Sequence, residues 1–390
     1  MRILFATESY YPNIDGGAIA QHRLVQELVR KGHEVGIVTP GTSLRNTTED
    51  DNGSTIFRTR AVKLPLYMGG KYFFSPFPIF KIKHILKSYQ PDVVDVCSPY
   101  HVGVSTLICA KRQKIPVVSS IHTLPENMFS PFLHSKYFYY MKKFAWFYLI
   151  FFFNLADWVT IPTQTGAEMY KKKGLNASIT PISNGIDTKT FHPNNNGEYL
   201  RKKYKIPKKK IILFSGRMTS EKNVDVLIKA IPHVIKNIDA HFVFCGSGRN
   251  YKQQMINLAS SLNILNYTTF IDFLDWEDYP NIYTVADLFV MPAEAELQSI
   301  VTMEAIASGL PAVVVKKGAV HELVNNDNGL VFDPQDSQQL AKHIVTILSD
   351  PSLRRTMSKK SLELAKMHTM EYVSAQYEKV YGKLCSQFSK

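Results

Sequence analysis

The sequence predicts an α/β protein of two doubly wound, Rossmann-like parallel-sheet domains facing a central cleft. Three observations predict it. Strand-length apolar runs alternate with helix-period segments along the chain. A polar, basic stretch near residues 187–210 interrupts the alternation once. And 390 residues exceed the size at which a single core keeps growing.

Taken in order, Ile3–Ala6 reads as a short buried strand and Gly16-Gly17 as a tight loop. In Ile19–Arg30 the residues Ala20, Leu24, Val25, Leu28 and Val29 recur at helical spacing, and Gly32 stops that helix. Val35–Val38 is the next strand, followed by Asp92–Val96, Val117–Ser120 and Trp158–Pro162. Beyond the polar stretch come Ile211–Phe214, His241–Cys245, Thr269–Phe273, Leu288–Met291 and Pro311–Val315. Strands alternating with helices imply parallel sheets covered on both faces, with a ligand at their carboxyl ends. The expected domains are 1–188 and 189–370, with a helix in 371–390 that caps the second domain or returns to the first.

Apolar residues make up 45% and charged residues 20%, the composition of a soluble globular protein rather than a disordered one. The net charge of +13 points to an anionic partner: nucleic acid, a phosphorylated substrate or an acidic membrane. Residues 1–190 carry 22 Lys/Arg against 13 Asp/Glu, so most of the excess lies in the first domain. The four cysteines form no CxxC pair, which argues for a reducing compartment and against a zinc site. The run Ile3–Ala6 is too short for a signal-peptide core, so a cytoplasmic location is expected.

Two regions are strongly aromatic. Tyr137–Phe153 ends in ten consecutive apolar residues, fewer than the roughly 20 a bilayer span needs. It reads equally as a buried core helix or as an interfacial segment. In Tyr67–Lys87, Tyr72, Phe73, Phe74, Phe77 and Phe80 sit among Lys71, Lys81, Lys83 and Lys87, a mixture an anionic membrane surface selects.

The sharpest chemical pattern is Glu296, seven residues, then Glu304, after the strand ending at Met291. With a helix from about Gln298 to Gly309, the two carboxylates fall roughly 80° apart around its axis and about 12 Å along it. The amides of Ser299 and Ile300 then form a helix mouth suited to an anion. A second pattern follows the strand Ile211–Phe214: Gly216, Arg217 and Lys222 on a loop opening a helix, two cations able to hold a diphosphate. Gly16-Gly17 is no G-x-G-x-x-G fingerprint, so dinucleotide binding is not indicated.

Together these blocks resemble the family 4 glycosyltransferases of GT-B fold, nearly end to end. The Glu-x7-Glu block resembles the family signature, and Gly216–Asn223 its phosphate block. Phe244–Gly248 resembles its Gly-x-Gly turn, Asn184–Asp187 its interdomain segment, and Tyr283–Pro292 the strand before the signature. His122, at the end of the strand Val117–Ser120, matches the active-site histidine, with Glu126 and Asn127 following in a loop that could face an acceptor. Ser299 and Asp272 depart from the pattern, standing where glycine is common.

The resemblance implies a retaining hexosyltransferase using a UDP- or GDP-sugar, with no cofactor and no metal. It assigns Glu296 to sugar hydroxyls, Glu304 to the ribose and His122 to the sugar near the reacting bond. Arg217 and Lys222 take the diphosphate, while Gly16, Gly17, Gly216, Gly246, Leu274, Ser299 and Ile300 line the donor. A membrane lipid or lipid-linked glycan is the expected acceptor, met by a peripheral enzyme at the inner face of the cell membrane. A sugar-nucleotide epimerase of the same fold is the competing enzyme. A nucleic-acid-binding protein is the non-enzyme alternative, disfavoured because no recognition module is visible.

Overall fold

The computed structural model describes residues 1–11, 16–63, 73–122, 124–125 and 138–388. Glu126, Asn127 and the 67–72 part of the aromatic-lysine stretch lie outside them. The chain forms two compact units, Met1–Gly185 with Met370–Lys390, and Ile186–Thr369.

The first unit runs β1 (Arg2–Ala6), α1 (Gly16–Arg30), β2 (Glu34–Pro40), β3 (Thr47–Asp51), β4 (Ser54–Thr59), β5 (Val62–Lys63) and β6 (Phe73–Phe74). It continues with α2 (Ile79–Tyr89), β7 (Val93–Val96), α3 (His101–Arg112), β8 (Val117–Ser120), α4 (Phe138–Phe153), β9 (Trp158–Ile161), α5 (Gln164–Lys172) and β10 (Ile179–Pro181). Its eight-stranded sheet has the order β10-β9-β8-β7-β1-β2-β4-β3, parallel except where β3 meets β4. The apolar runs make it so: every residue of β7 and β8 is buried, as strands covered on both faces require.

The second unit holds α6 (Glu198–Lys203), β11 (Lys210–Ser215), α7 (Val224–Ile235), β12 (Ala240–Cys245), α8 (Arg249–Ser261), β13 (Thr268–Ile271) and α9 (Ile282–Val285). Then come β14 (Leu288–Met291), α10 (Ile300–Ala307), β15 (Ala312–Val315), β16 (Gly329–Phe332), α11 (Ser337–Ser349) and α12 (Pro351–Ala365). Six parallel strands order as β13-β12-β11-β14-β15-β16 around a core that includes Phe214, Phe242, Phe244 and Phe289.

The last helix, α13 (Met370–Phe388), belongs to the first unit. Val373, Tyr377, Val380, Tyr381 and Leu384 pack with Leu24, Val25 and Leu28 of α1. Lys31 Nζ pairs with Glu378 at 2.6 Å, and His33 with the same carboxyl at 2.8 Å.

Three local expectations are corrected. Gly16 and Gly17 are the first turn of α1, not a loop before it. The first N–H groups of a helix have no partner inside it, and glycine leaves them uncovered. The helix after Glu296 starts at Ile300, so Glu296 is not on it and the rotational reckoning does not apply. Strand β13 stops at Ile271, and Phe273 beyond it is 65% exposed. Among the described residues no helix is long and apolar enough to cross a membrane.

Candidate functional site

Each of the two large sheets has one place where the chain reverses its direction of winding. In the second unit this is between β11 and β14, because β12 and β13 follow β11 on one side while β15 and β16 follow β14 on the other. Loops leaving two such strands diverge and open a crevice at their carboxyl ends. The loops here are 216–223 and 292–299, the two that carry the sequence-derived site residues.

The first loop approaches the one after β12. Gly216 N–H donates to the Cys245 carbonyl at 2.9 Å, and Met218 N–H to the Ser247 carbonyl at 2.7 Å. Gly246 sits at φ +149°, and a Cβ there would lie 1.8 Å from the Gly216 carbonyl oxygen. Only glycine permits this approach. A short 3₁₀ turn, Ser220–Lys222, then presents the lysine, and Asn223 in the left-handed region starts α7. Asn223 Nδ2 donates to the Pro292 carbonyl at 3.3 Å, joining the two loops.

Across this junction Lys222 Nζ donates to Glu296 Oε1, residues 74 apart in sequence and both largely buried. The Glu296 carbonyl accepts from Ala319 N–H at 3.0 Å, which pins that loop from its other side. Arg217 remains 62% exposed, its guanidinium 3.7 Å from Glu221. Ser299 is the N-cap of α10: its Oγ accepts from Thr302 N–H at 3.3 Å and Thr302 Oγ1 at 2.9 Å. The helix mouth at Ser299 and Ile300 therefore stands beside the Lys222–Glu296 loop.

Glu304 has different surroundings. It is 2% exposed, and its Oε2 accepts from Tyr279 and Tyr283 hydroxyls at 2.8 Å each. Burial first, then the Glu304 charge, pushes both phenols well above their ordinary range, so they stay protonated donors. Leu274 is buried in the core of the same unit. The phenols went unrecognised as site partners in the sequence. Their four-residue spacing ahead of β14 was the available signal.

In the first unit the reversal is between β1 and β7. His122 follows β8 and lines a small pocket with Gln21, Cys97, Ser120, Asn184 and Tyr377. Beneath it Asp95, fully buried, accepts from Ser120 Oγ at 2.8 Å and Tyr381 hydroxyl at 2.6 Å. Burial pushes the Asp95 carboxyl up to about 6. Glu8, two residues past β1, accepts from Val102 N–H at 2.6 Å and from Ser98 Oγ. It is partly exposed yet hemmed in by protein, and desolvation pushes it up to about 7. Neither acid stood out in the sequence, because neither belongs to a spaced motif. Gly16 and Gly17 open α1 in this unit.

Two family descriptions match consecutive halves of the chain: "Glycosyltransferase Family 4" over residues 14–190 and "Glycosyl transferases group 1" over residues 197–363. A GDP-mannose-dependent alpha-mannosyltransferase of Corynebacterium glutamicum is 27% identical over 98% of this chain and 89% of its own length. The alpha-monoglucosyldiacylglycerol synthase of Streptococcus pneumoniae is 25% identical, over 94% and 82%. The structure of sucrose-phosphate synthase from Thermosynechococcus elongatus superposes with a TM-score of 0.80 at 19% identity, covering 99% of both chains. With the Glu-x7-Glu and phosphate blocks meeting at a sheet's winding reversal, the chain belongs to the family 4 glycosyltransferases of GT-B fold.

Proposed function

We propose that this enzyme transfers a hexosyl group from a nucleoside-diphosphate sugar to a membrane lipid or lipid-linked glycan, with retention at the anomeric carbon. The Lys222–Glu296 pair beside the mouth of α10 carries the reading. A diphosphate needs fixed positive charge and a sugar needs hydroxyl acceptors, and here the two are side by side. When the donor binds, Lys222 and Arg217 take the phosphate charge together with the α10 amides. Glu296 is then free to accept from sugar hydroxyls. The same cations stabilise the departing diphosphate, so the reaction needs no metal, and a phosphate oxygen takes the acceptor's proton. His122 is assigned to the sugar near the reacting bond and Glu304 to the ribose.

The likeness to a GDP-mannose-dependent mannosyltransferase supports a GDP-sugar donor, and the likeness to a monoglucosyldiacylglycerol synthase supports a lipid acceptor. The enzyme would work peripherally, at the cytoplasmic face of an anionic membrane. The test is thermal stabilisation by GDP-mannose, UDP-glucose, UDP-galactose and UDP-GlcNAc, followed by diphosphate release with lipid extract. One donor should stabilise the protein, and release should require the acceptor. Release without acceptor, or sugar interconversion, would favour an epimerase. Unchanged transfer by Glu296→Ala would overturn the site.

A further inference from the structure

We propose that the outer face of α4, with the lysines closing α5, is the element that seats this enzyme on an anionic bilayer. The proposal rests on the lipid-acceptor reading above and names the surface that meets the lipid. It answers what the sequence left open, whether the 137–153 segment is core or interface. Within 138–153, Ala145, Trp146, Leu149, Phe152 and Phe153 are buried. Tyr140, Phe144, Phe147 and Phe151 are 70%, 69%, 70% and 58% exposed. At 100° per residue these four rings fall within about 60° of one another, a ridge roughly 16 Å long. Single exposed rings are ordinary, but four aligned ones mark an interaction surface.

Charge selects the partner. The helix contains no acidic residue, and Lys143 lies next to the ridge. Lys171, Lys172 and Lys173 are exposed at the end of α5, and Lys173 Nζ stands 5.5 Å from the centre of the Trp146 ring. Asn154 Nδ2, just past α4, donates to the Gly174 carbonyl at 3.1 Å, so the lysine cluster is fastened beside the ridge. Rings flanked by lysines fit the headgroup level of an anionic leaflet, the rings entering the acyl boundary and the ammonium groups meeting phosphate. Two further exposed rings lie in the same unit. Phe77 and Phe80 are 76% and 78% exposed, three and six residues after Phe74. Phe74 rests on His101 at 4.2 Å, while Tyr148 of α4 donates to the Pro99 carbonyl. Phe74 and Tyr148 thus both meet the segment that opens α3.

Flotation of the full-length protein with vesicles of phosphatidylcholine, alone or mixed equally with phosphatidylglycerol, tests the proposal. Wild type should float with the mixed vesicles and at least about tenfold less with the neutral ones. The variant Phe144→Ser/Phe147→Ser/Phe151→Ser should lose binding about tenfold or more with unchanged melting temperature, since these rings are exposed. Lys171→Gln/Lys172→Gln/Lys173→Gln should weaken binding about fivefold per lysine and reduce its salt sensitivity. Failure of wild type to float, or wild-type flotation by the ring variant, overturns the proposal. So does a wild-type dimer that the ring variant dissociates, which would make the ridge a contact between two copies. Donor-induced thermal stabilisation is measured on the same samples. Its loss with flotation intact would sink the donor reading alone, and flotation without transfer to lipid would sink the acceptor reading alone.

Discussion

Tyr381 donates a 2.6 Å hydrogen bond to Asp95, a residue 286 positions earlier in the chain and completely buried. The bond fastens the last helix to the central strand of the first unit's sheet, below the pocket that His122 lines. Tyr381→Phe keeps the ring but leaves the carboxyl one donor short. Loss of a hydrogen bond to a charged buried group costs about 1.5–3 kcal/mol. The melting transition of the first unit should fall by several degrees, read by calorimetry, while donor binding to the second unit persists.

Stability should depend on pH in an unusual direction for an acidic pair. Glu8 is raised from 4.5 to about 7 and Asp95 from 3.8 to about 6, both chiefly by desolvation. Each acid binds its proton more tightly in the folded chain than in the unfolded one. The folded state therefore holds more protons between about pH 4 and 7, and these two groups lose stability as pH rises through that window. For Asp95 the full effect is about 3 kcal/mol. Asp95→Asn keeps an oxygen for Tyr381 and removes the titration, so its melting temperature should fall less than wild type's from pH 4.5 to 7.5. A parallel decline in both proteins would refute the assignment.

Lys222→Ala should leave the fold intact and nearly abolish transfer. The side chain stands at the loop junction, with Glu296 as its partner. Without it the diphosphate meets the Glu296 carboxylate with Arg217 as the remaining cation of the loop, and the departing charge loses its buried neutralising donor. Removal of one such group costs about 100-fold or more in rate. Diphosphate release by the variant, compared at matched melting temperature, measures it, and Lys222→Arg should restore part of the loss.

Gly246→Ala should destabilise the second unit by about 2–4 kcal/mol, because its methyl group would overlap the Gly216 carbonyl at φ +149°. The loop carrying Arg217 and Lys222 would have to withdraw. Donor affinity should drop together with stability, seen as a smaller thermal shift at saturating nucleotide sugar. A variant as stable as wild type would show that the two loops are not locked.

A last relationship concerns Glu304. Tyr279→Phe and Tyr283→Phe each remove one of the tyrosine hydroxyls that donate to it at 2.8 Å. Each should cost about 1–3 kcal/mol, and the double variant should depart from the sum because both act on one carboxylate. Chemical denaturation of the four proteins completes that cycle.

Most of what short-range spacing carries is legible in the sequence, with the first turn of α1, the start of α10 and the end of β13 as the exceptions. The strands Val117–Ser120 and Leu288–Met291 were read residue for residue, because apolar runs bounded by turns have few alternatives. Glu296, Glu304, Arg217 and Lys222 are legible through the resemblance of their ordered blocks to the family pattern, since a bare carboxylate pair or two loop cations would have commoner explanations. The tertiary structure alone decided who meets whom. Lys222 faces Glu296 only because β14 is laid beside β11. Asp95 meets Tyr381 only because α13 returns to the first unit. The start of α10 moves only from near Gln298 to Ile300, a local matter of the Ser299 cap on Thr302. The ten apolar residues from Phe144 could not reveal which face of α4 is buried. Hydrophobicity is not directional, and only the packing of α4, where Trp146 and Phe153 meet the Tyr170 ring of α5, decides that Leu149 and Phe152 are buried and leaves Phe147 and Phe151 outside.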